Sequence, residues 1–247
     1  MEVHHHSHAH GKKTWKSYFW EFLMLFLAVF CGFFAEYQLE HKIEKDREKV
    51  YIQSMIEDLM IDTANLNASI NNFILNDKHF DTITLLYHEL PMHYNASLRN
   101  SLHKIIGYKD FFPSDKTLQQ LKNAGAMRLI RSKKAADGIM TYDARLKEYE
   151  KSLKVLDDVF TKMHDMSMQV LDAANAEKDA QTIGLEKMEK NSNNYLYIQD
   201  KAVLGNYYNR IITYRLLRNI VIKRMHILKD NASNLITTLQ SEYHMNN

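Results

Sequence analysis

The sequence predicts an all-α protein: an N-terminal transmembrane helix that continues into a long helical stalk, with an antiparallel helical bundle as the body. The chain has 247 residues but only 7 Gly and 2 Pro, too few turn-forming residues for a sheet protein of this size. One unbroken apolar run lies near the N-terminus, and apolar residues recur at helical spacing through most of the rest. Together these patterns indicate one membrane helix followed by helices that pack together.

The membrane segment is centred on the apolar run from Phe22 to Ala35. That run alone is too short, because a spanning helix needs about 20 residues to cross a hydrocarbon core of about 30 Å. Aromatic residues at both ends supply the missing length, since Trp15 to Tyr37 measures about 34 Å as a helix. We therefore expect a His- and Lys-rich tail at residues 1–16 and a transmembrane helix at residues 17–37.

The segment is expected to be an uncleaved signal anchor of a single-pass protein. Signal peptidase sites require small residues in an A-x-A-like pattern, which the end of the run, Phe33 to Glu36, lacks. A lipoprotein site at Cys31 is disfavoured because the bulky Phe30 precedes it. The Lys and Arg residues on the two sides of the span nearly balance. We expect a cytoplasmic N-terminus and an extracytoplasmic body, although this balance leaves the opposite orientation open.

The stalk, expected at residues 38–90, continues the membrane helix because neither Gly nor Pro occurs between Gly32 and Pro91. The companion positions of the stalk's apolar residues are mixed in polarity, which favours packing in a bundle over an isolated two-stranded coil. The main apolar line repeats every seven residues: Ile52, Leu59, Leu66, Phe73, Phe80 and Tyr87.

The body, at residues 91–247, is expected to pack with the stalk as an antiparallel bundle. Ser114 or Asp115 is a good N-cap for a helix after the loop that ends at Pro113. The predicted helices are a short one at Ser97 to Ile106, then Thr117 to about Ile130, a helical stretch to about Lys190, and about Tyr195 to His244. Apolar residues form one stripe on the last helix: Val203, Tyr207, Ile211, Tyr214, Val221, Met225 and Leu228.

Two charge lines suggest how the last two helices pair. Acidic residues recur every seven positions on one, and cations without an intervening acid occupy the other, so the lines can face each other or a second copy of the protein. The acids are Asp158, Asp165, Asp172, Asp179 and Glu186, and the cations are Lys201, Arg210, Arg215, Arg218, Lys223, Arg224 and Lys229.

Composition and motifs argue against an enzyme. The 32 basic and 30 acidic residues give a net charge of +2, and no basic run matches a nucleic-acid module. A single Cys excludes an intrachain disulfide framework and a four-thiolate metal site. P-loop, dinucleotide and nucleophile-elbow motifs are absent. We expect no catalytic residues, no cofactor and no nucleic-acid partner.

The histidine-rich tail supplies the metal-ligand candidates. Clustered imidazoles bind Zn, Cu or Ni, but a tail without fixed geometry lacks the second shell of a built site, and an expression tag is an alternative. The candidates are His4, His5, His6, His8 and His10.

Three further patterns have ordinary structural interpretations. The sequence from Met163 to Met168 resembles thioether copper(I) ligands, but Met163 and Met166 share a helix face and are expected to pack in the core. His88 and His93 are five residues apart with Pro91 between them, which does not fit a zincin helix. Glu21 is expected to be an interfacial residue, the alternative being a proton-carrying carboxylate within the membrane.

Four stretches of the sequence carry a resemblance to known proteins: His4 to His8, Lys12 to Phe22, Leu25 to Phe33 and Phe111 to Lys122. They resemble an uncharacterised family, a domain of unknown function, of single-pass membrane proteins from Bacteroidota with a His-rich N-terminal tail. The resemblance implies a bacterial inner-membrane location and a mostly helical body, and it implies no activity.

Three hypotheses for function follow. The first is a non-enzymatic interaction or scaffold protein, held in the lipid bilayer and binding a protein partner or another copy of itself through its helical faces. The second is a membrane-bound sensor or metal-responsive module, although a 16-residue tail is too short for an output domain. The third is an accessory subunit of an ion-driven membrane complex that uses Glu21.

Overall fold

The computed structural model describes residues 14–92, 96–107, 110–175, 178 and 196–245. Every secondary-structure element longer than a single bridge in these ranges is a helix. Within those ranges no β-strand occurs, and one isolated antiparallel bridge joins Leu171 to Leu196. The prediction of an all-α fold is confirmed. The α-helices are α1 Trp15–Leu86, α2 Ala96–Lys104, α3 Lys116–Asn123, α4 Lys133–Val170 and α5 Lys201–Tyr243, with 3-10 helices at Tyr87–Glu89 and Ala126–Leu129.

The chain divides into two compact units, Met1–Val50 and Tyr51–Asn247. The five predicted His ligands lie outside the described residues. The predicted boundaries of tail, membrane helix, stalk and bundle stay a prediction.

The first unit contains the apolar part of α1. Its most apolar 18-residue window has a mean hydropathy of 1.9, and 0% of that window is buried. Phenylalanines four residues apart stack along one side, with neighbouring ring centroids 6.1 to 6.4 Å apart in the series Phe22, Phe26, Phe30 and Phe34. By length and composition, this helix is able to cross a membrane.

The second unit is built on the seven-residue line that runs along α1 and ends at Tyr87, the first residue of the following 3-10 helix. Every member of that line is buried: Ile52, Leu59, Leu66, Phe73, Phe80 and Tyr87 are between 0% and 7% exposed. This line shares one core with buried residues of the other helices of the second unit, so α1 packs in a bundle, as the mixed companion positions predicted. The α5 stripe behaves in the same way, since Tyr207, Ile211, Tyr214 and Val221 are at most 1% exposed.

Contacts between helices define the topology of this bundle. α5 runs antiparallel to α1. The hydroxyl of Tyr87, just after α1, donates to the carbonyl of Leu204 near the start of α5, whereas Arg218, later in α5, donates to the carbonyl of Phe73, earlier in α1. α4 runs parallel to α1, since Tyr142 pairs with Asp62 while Phe160 and Phe80 both contact Tyr214.

The connection between α1 and α4 forms the fourth segment of the bundle. It returns alongside α1 in the opposite direction, from Ser101 beside His79, through Gly107 beside Asn76, to Thr117 beside Asp58. The segment is broken into α2, a loop and α3. The second unit is therefore an up-down-up-down four-segment bundle.

Two aspartates of α1 hold the loop that precedes α3. Asp62 accepts hydrogen bonds from the Ser114 amide at 2.7 Å and from the Tyr142 hydroxyl at 2.5 Å. Asp58 accepts from the Ser114 hydroxyl at 2.9 Å and from the Thr117 amide at 3.1 Å. Burial raises the pKa of Asp62, although the hydrogen bonds from Tyr142 and Ser114 oppose that shift. We call Asp58, Asp62, Ser114, Thr117 and Tyr142 the aspartate clasp.

The clasp changes the predicted helix start. Asp115 is the N-cap of α3, but its side chain makes no capping hydrogen bond. Asp58 supplies the capping carboxylate from a different helix, and it satisfies an amide of the first turn that local residues leave open.

Several predicted helix ends were wrong. α3 ends at Asn123 rather than near Ile130, because Gly125 adopts a left-handed conformation with φ of 64° that interrupts the helix. α4 ends at Val170, and Leu171 is extended where it bridges Leu196, whereas the predicted end of the helical stretch near Lys190 lies outside the described residues. α5 begins at Lys201 rather than at Tyr195, because the Asp200 side chain accepts from the amides of Ala202 and Val203.

The described members of the charge lines of α4 and α5 do not pair with each other, and Asp179 and Glu186 lie outside the described residues. Arg215 and Arg218 of α5 instead face Asp81 and Asp77 of α1, at 2.5 and 4.0 Å. Arg224 pairs with an acid of α4 outside the predicted line, Glu148, at 2.8 Å. α5 thus uses its cations to reach two helices, because it packs between them.

The clasp gives a test of stability. Asp62→Ala should lower the free energy of unfolding by about 2–3 kcal/mol, because it leaves the Ser114 amide and the buried Tyr142 hydroxyl without an acceptor. Chemical denaturation of the purified protein in detergent measures this loss. Asp81→Ala is the control: Asp81 is 70% exposed, so its pair with Arg215 should contribute less than about 1 kcal/mol. Equal losses for the two variants would contradict the assigned role of the clasp.

Candidate functional site

The most unusual chemical feature of the second unit is a fully buried arginine. Arg218 lies on α5, four residues after Tyr214, and is 0% exposed. A charged side chain is expensive to remove from water unless the surroundings compensate it. The residues around Arg218 therefore define the site.

Aromatic rings of two helices surround the guanidinium. Its central carbon lies 4.7 Å from the ring centroid of Phe80, 4.8 Å from that of Phe73 and 5.8 Å from that of Tyr214. These distances allow cation–π attraction, which is stronger in a desolvated setting than on a surface. The rings of Phe80 and Tyr214 also contact each other, at 6.0 Å between centroids. We call Arg218, Phe73, Phe80, Tyr214 and Asp77 the Arg218 cluster.

Polar groups satisfy the guanidinium only in part. Nη2 donates to the Phe73 carbonyl at 2.8 Å and lies 4.0 Å from Oδ1 of Asp77. Among the described residues, Arg218 Nε and Nη1 have no hydrogen-bond partner. Burial lowers the pKa of Arg218, while Tyr214 and Asp77 oppose that shift. The cluster holds its charge by ring faces and one carbonyl rather than by a tight ion pair.

An acidic pair lies beside the cluster. Burial, together with the negative charge of Asp157, raises the pKa of Asp110 to about 6. Asp110 and Asp157 also act on Tyr214, whose pKa burial raises to about 12. Tyr149 makes two contacts with Phe111, the residue after Asp110. Its hydroxyl donates to the Phe111 carbonyl at 3.2 Å, and its ring contacts the Phe111 ring edge-on. Burial likewise raises the pKa of Tyr149.

This arrangement joins helices rather than presenting reactive groups to solvent. Arg218 and Tyr149 are 0% and 1% exposed, so a solute reaches them only if the bundle opens. The contacts instead tie α5 to α1 through Arg218, and α4 to the loop before α3 through Tyr149. The cluster therefore fixes the register of the bundle.

The described residues contain no group of three or more His, Cys, Asp or Glu side chains that could hold a metal ion. The predicted ligands His4, His5, His6, His8 and His10 lie outside these residues, so the structure does not bear on them.

The remaining sequence candidates fall in ordinary places. Met163 is 0% exposed and Met166 packs against the core, as the structural interpretation predicted. His164 stacks on Phe160, with 5.8 Å between ring centroids. His88 lies in a 3-10 helix just before Pro91. Glu21 is exposed on α1, in a shallow surface cleft that it shares with Trp20.

Sequence reasoning missed the burial of Arg218, although a signal was present. Arg218 continues the spacing of the buried stripe Tyr207, Ile211, Tyr214 and Val221. The sequence prediction assigned Arg218 to the cationic line of the last helix and therefore did not place it in the buried stripe. No comparable signal marked Asp110, since its surroundings come from segments distant in the chain.

No family model matches the chain, and neither a curated protein nor a solved structure matches it. The resemblance to an uncharacterised membrane-protein family therefore stays a prediction.

The raised pKa of Asp110 predicts a pH dependence. A carboxyl whose pKa is higher in the folded than in the unfolded state stabilises the fold while protonated, and this contribution disappears as the pH rises from about 4 through about 6. Asp110→Asn should thus match the wild type near pH 4 and exceed it at pH 8. We expect a Tm difference of roughly 2–4 °C, the shift that about 1 kcal/mol causes in a domain of this size, allowing for partial exposure.

Asp143→Asn is a control of opposite sign. Burial raises the pKa of Asp143, but hydrogen bonds from Lys122 and Lys147 outweigh burial and hold this pKa below its ordinary value. The Asn variant should therefore lose stability at pH 8, and the loss should shrink below about pH 4. A thermal scan in detergent at both pH values measures each difference, and an Asp110→Asn variant less stable than wild type at pH 8 would refute the assignment.

Proposed function

We propose that the protein is a membrane-anchored helical interaction or scaffold protein that binds a protein partner, or another copy of itself, without catalysing a reaction. The observation that carries the proposal is the continuity of α1. This one helix contains both the exposed apolar window, with a mean hydropathy of 1.9, and the buried line on which the second unit is built. The apolar window and the buried line are therefore parts of the same helix.

The lipid bilayer is the partner that best suits the first unit. Phe22, Leu25, Val29 and Phe33 are each more than half exposed. Leaving such side chains in water forgoes about 1.5–3 kcal/mol apiece compared with burying them. A bilayer removes this penalty along the full length of the window, and the aromatic residues at its ends suit the interfaces.

Exposed apolar residues of the second unit support binding through helical faces. Ile61 and Leu75 on α1, Met140 on α4 and Leu216 on α5 are each at least half exposed. The buried Arg218 cluster makes helix register specific but offers no open site. The exposed helix surfaces therefore support binding of a partner, whereas the closed interior does not support a reaction with a solute.

The location we propose is the bacterial inner membrane, with the N-terminus in the cytoplasm and the body in the periplasm. The resemblance to membrane proteins from Bacteroidota supports this location. The described part of the second unit is a helical bundle, and this supports a scaffold over a sensor.

Membrane insertion is tested by placing a charge within the window. Val29→Arg should move the protein from the membrane pellet to the alkaline supernatant, because an arginine at the centre of a spanning helix costs about 2.5–3.5 kcal/mol. Alkaline extraction of membranes followed by quantitative blotting measures the distribution. Val50→Arg, at a residue 65% exposed outside the window, is the matched control and should stay in the pellet. Extraction of the unaltered chain into the alkaline supernatant would overturn the proposal.

Orientation is tested by labelling from outside the cell. In a Cys31→Ser background, Ser233→Cys places one exposed thiol on α5. A membrane-impermeant maleimide should label it once the outer membrane is permeabilised and before the cells are lysed. Labelling only after lysis would place the body in the cytoplasm.

A further inference from the structure

One exposed side of α1 in the second unit carries no charge over five helical turns. Between Glu57 and Lys78, every exposed residue of α1 is apolar or an asparagine. A solvated helix surface normally carries charged residues. We call this side the uncharged face, and its members are Met60, Ile61, Ala64, Asn65, Asn67, Ala68, Asn71, Ile74 and Leu75.

The acidic residues of this stretch lie on other sides of α1 and contact the rest of the bundle. Asp58 and Asp62 are 5% and 1% exposed and belong to the aspartate clasp, and Asp77 faces Arg218. The large apolar residues of the face point outward instead, with Ile61 50% and Leu75 67% exposed. α1 thus turns its charges inward and its apolar side chains outward along this segment.

The face has the spacing of a coiled-coil seam. Ile61, Ala68 and Leu75 are seven residues apart, and Ala64 and Asn71 occupy the intermediate positions. Small residues in a seam let two helices approach closely, and a single polar Asn specifies register at some expense of stability. This pattern is separate from the buried line of Ile52 to Tyr87.

We propose that the uncharged face is a homodimer interface, at which α1 pairs in parallel with α1 of a second copy around a twofold axis. The inference rests on the proposed function, because copies inserted into one membrane with the same topology are favoured to pair in parallel. It makes that function specific by naming the partner and the surface.

Charge is the first argument for a second copy as the partner. A twofold interface brings each residue close to its own counterpart, so a charged face repels itself. The uncharged face avoids this repulsion for its whole length. The exposed sides of α4 and α5 do not, since they carry residues such as Lys151, Asp158, Lys223 and Asp230.

Area is the second argument. Full burial of a large aliphatic side chain removes on the order of 100 Å² from water. Four such residues are at least half exposed and so offer roughly 200–250 Å². The exposed alanines and asparagines add a similar area, which brings the face to roughly 500 Å² per copy. Two copies therefore reach about 1,000 Å², the lower limit for a specific interface. The dimer is marginal in dilute solution and favoured where the anchor confines both copies.

Disulfide cross-linking in isolated membranes tests the pairing on the full-length chain. In a Cys31→Ser background, Ala68→Cys and Leu75→Cys each place a thiol beside the proposed twofold axis. Both should give cross-linked dimers under mild oxidation, at a yield at least about tenfold above that of Ser233→Cys, which lies on α5 away from the face.

A disrupting substitution supplies the second arm. Ile61→Glu, added to the Ala68→Cys chain, should lower the dimer yield at least about tenfold, because it sets two like charges against each other in the interface. Ile220→Glu is the matched control, since Ile220 is 49% exposed on α5, and it should leave the yield unchanged.

The outcomes separate this inference from the proposed function. If the chain stays in the membrane pellet but neither thiol cross-links above the control, the dimer inference fails and membrane anchoring stands. Cross-linking through Ala68→Cys without Leu75→Cys indicates an antiparallel or shifted contact and overturns the parallel pairing. If alkaline treatment extracts the chain, the proposed function itself fails.

Discussion

The second unit depends on the burial of one line of side chains along α1. Residues spaced by seven from Ile52 to Tyr87 lose nearly all contact with solvent. Each full burial of an aliphatic or aromatic side chain contributes roughly 1.5–3 kcal/mol. Because α4, α5 and the connection between α1 and α4 all pack around this line, it determines where each of them lies. An α1 helix without the line would leave the other segments no shared core.

Buried polar groups add specificity to that core. A purely apolar interface tolerates sliding, whereas Asp62 finds both the Ser114 amide and the Tyr142 hydroxyl in only one register. Arg218 acts similarly between α5 and α1, through the Phe73 carbonyl and the rings around it. Such groups are costly when their partners are missing. They therefore penalise alternative packings more than they strengthen the observed one.

The same helix carries surfaces of very different polarity. Its first unit exposes a continuous apolar surface suited to lipid, and its second unit buries one side and exposes another that lacks charge. Helices gain hydrophobic free energy by associating in water but not in lipid, since lipid tails are as apolar as the side chains themselves. Pairing through the uncharged face would therefore draw its hydrophobic gain from the aqueous part of α1, while the anchor contributes confinement.

The sequence by itself determined the elements whose causes are local. The scarcity of Gly and Pro, the apolar run and the seven-residue line predicted the all-α fold, the length of α1 and its buried residues, because periodicity reports which side of a helix is covered. Tertiary structure alone decided the rest. Asp58 caps α3 from another helix, Arg218 is buried among aromatic rings, and the cations of α5 reach α1 and Glu148 instead of the predicted acidic line. Each of these contacts joins residues far apart in the chain, and only the packing of the helices determines which of them meet.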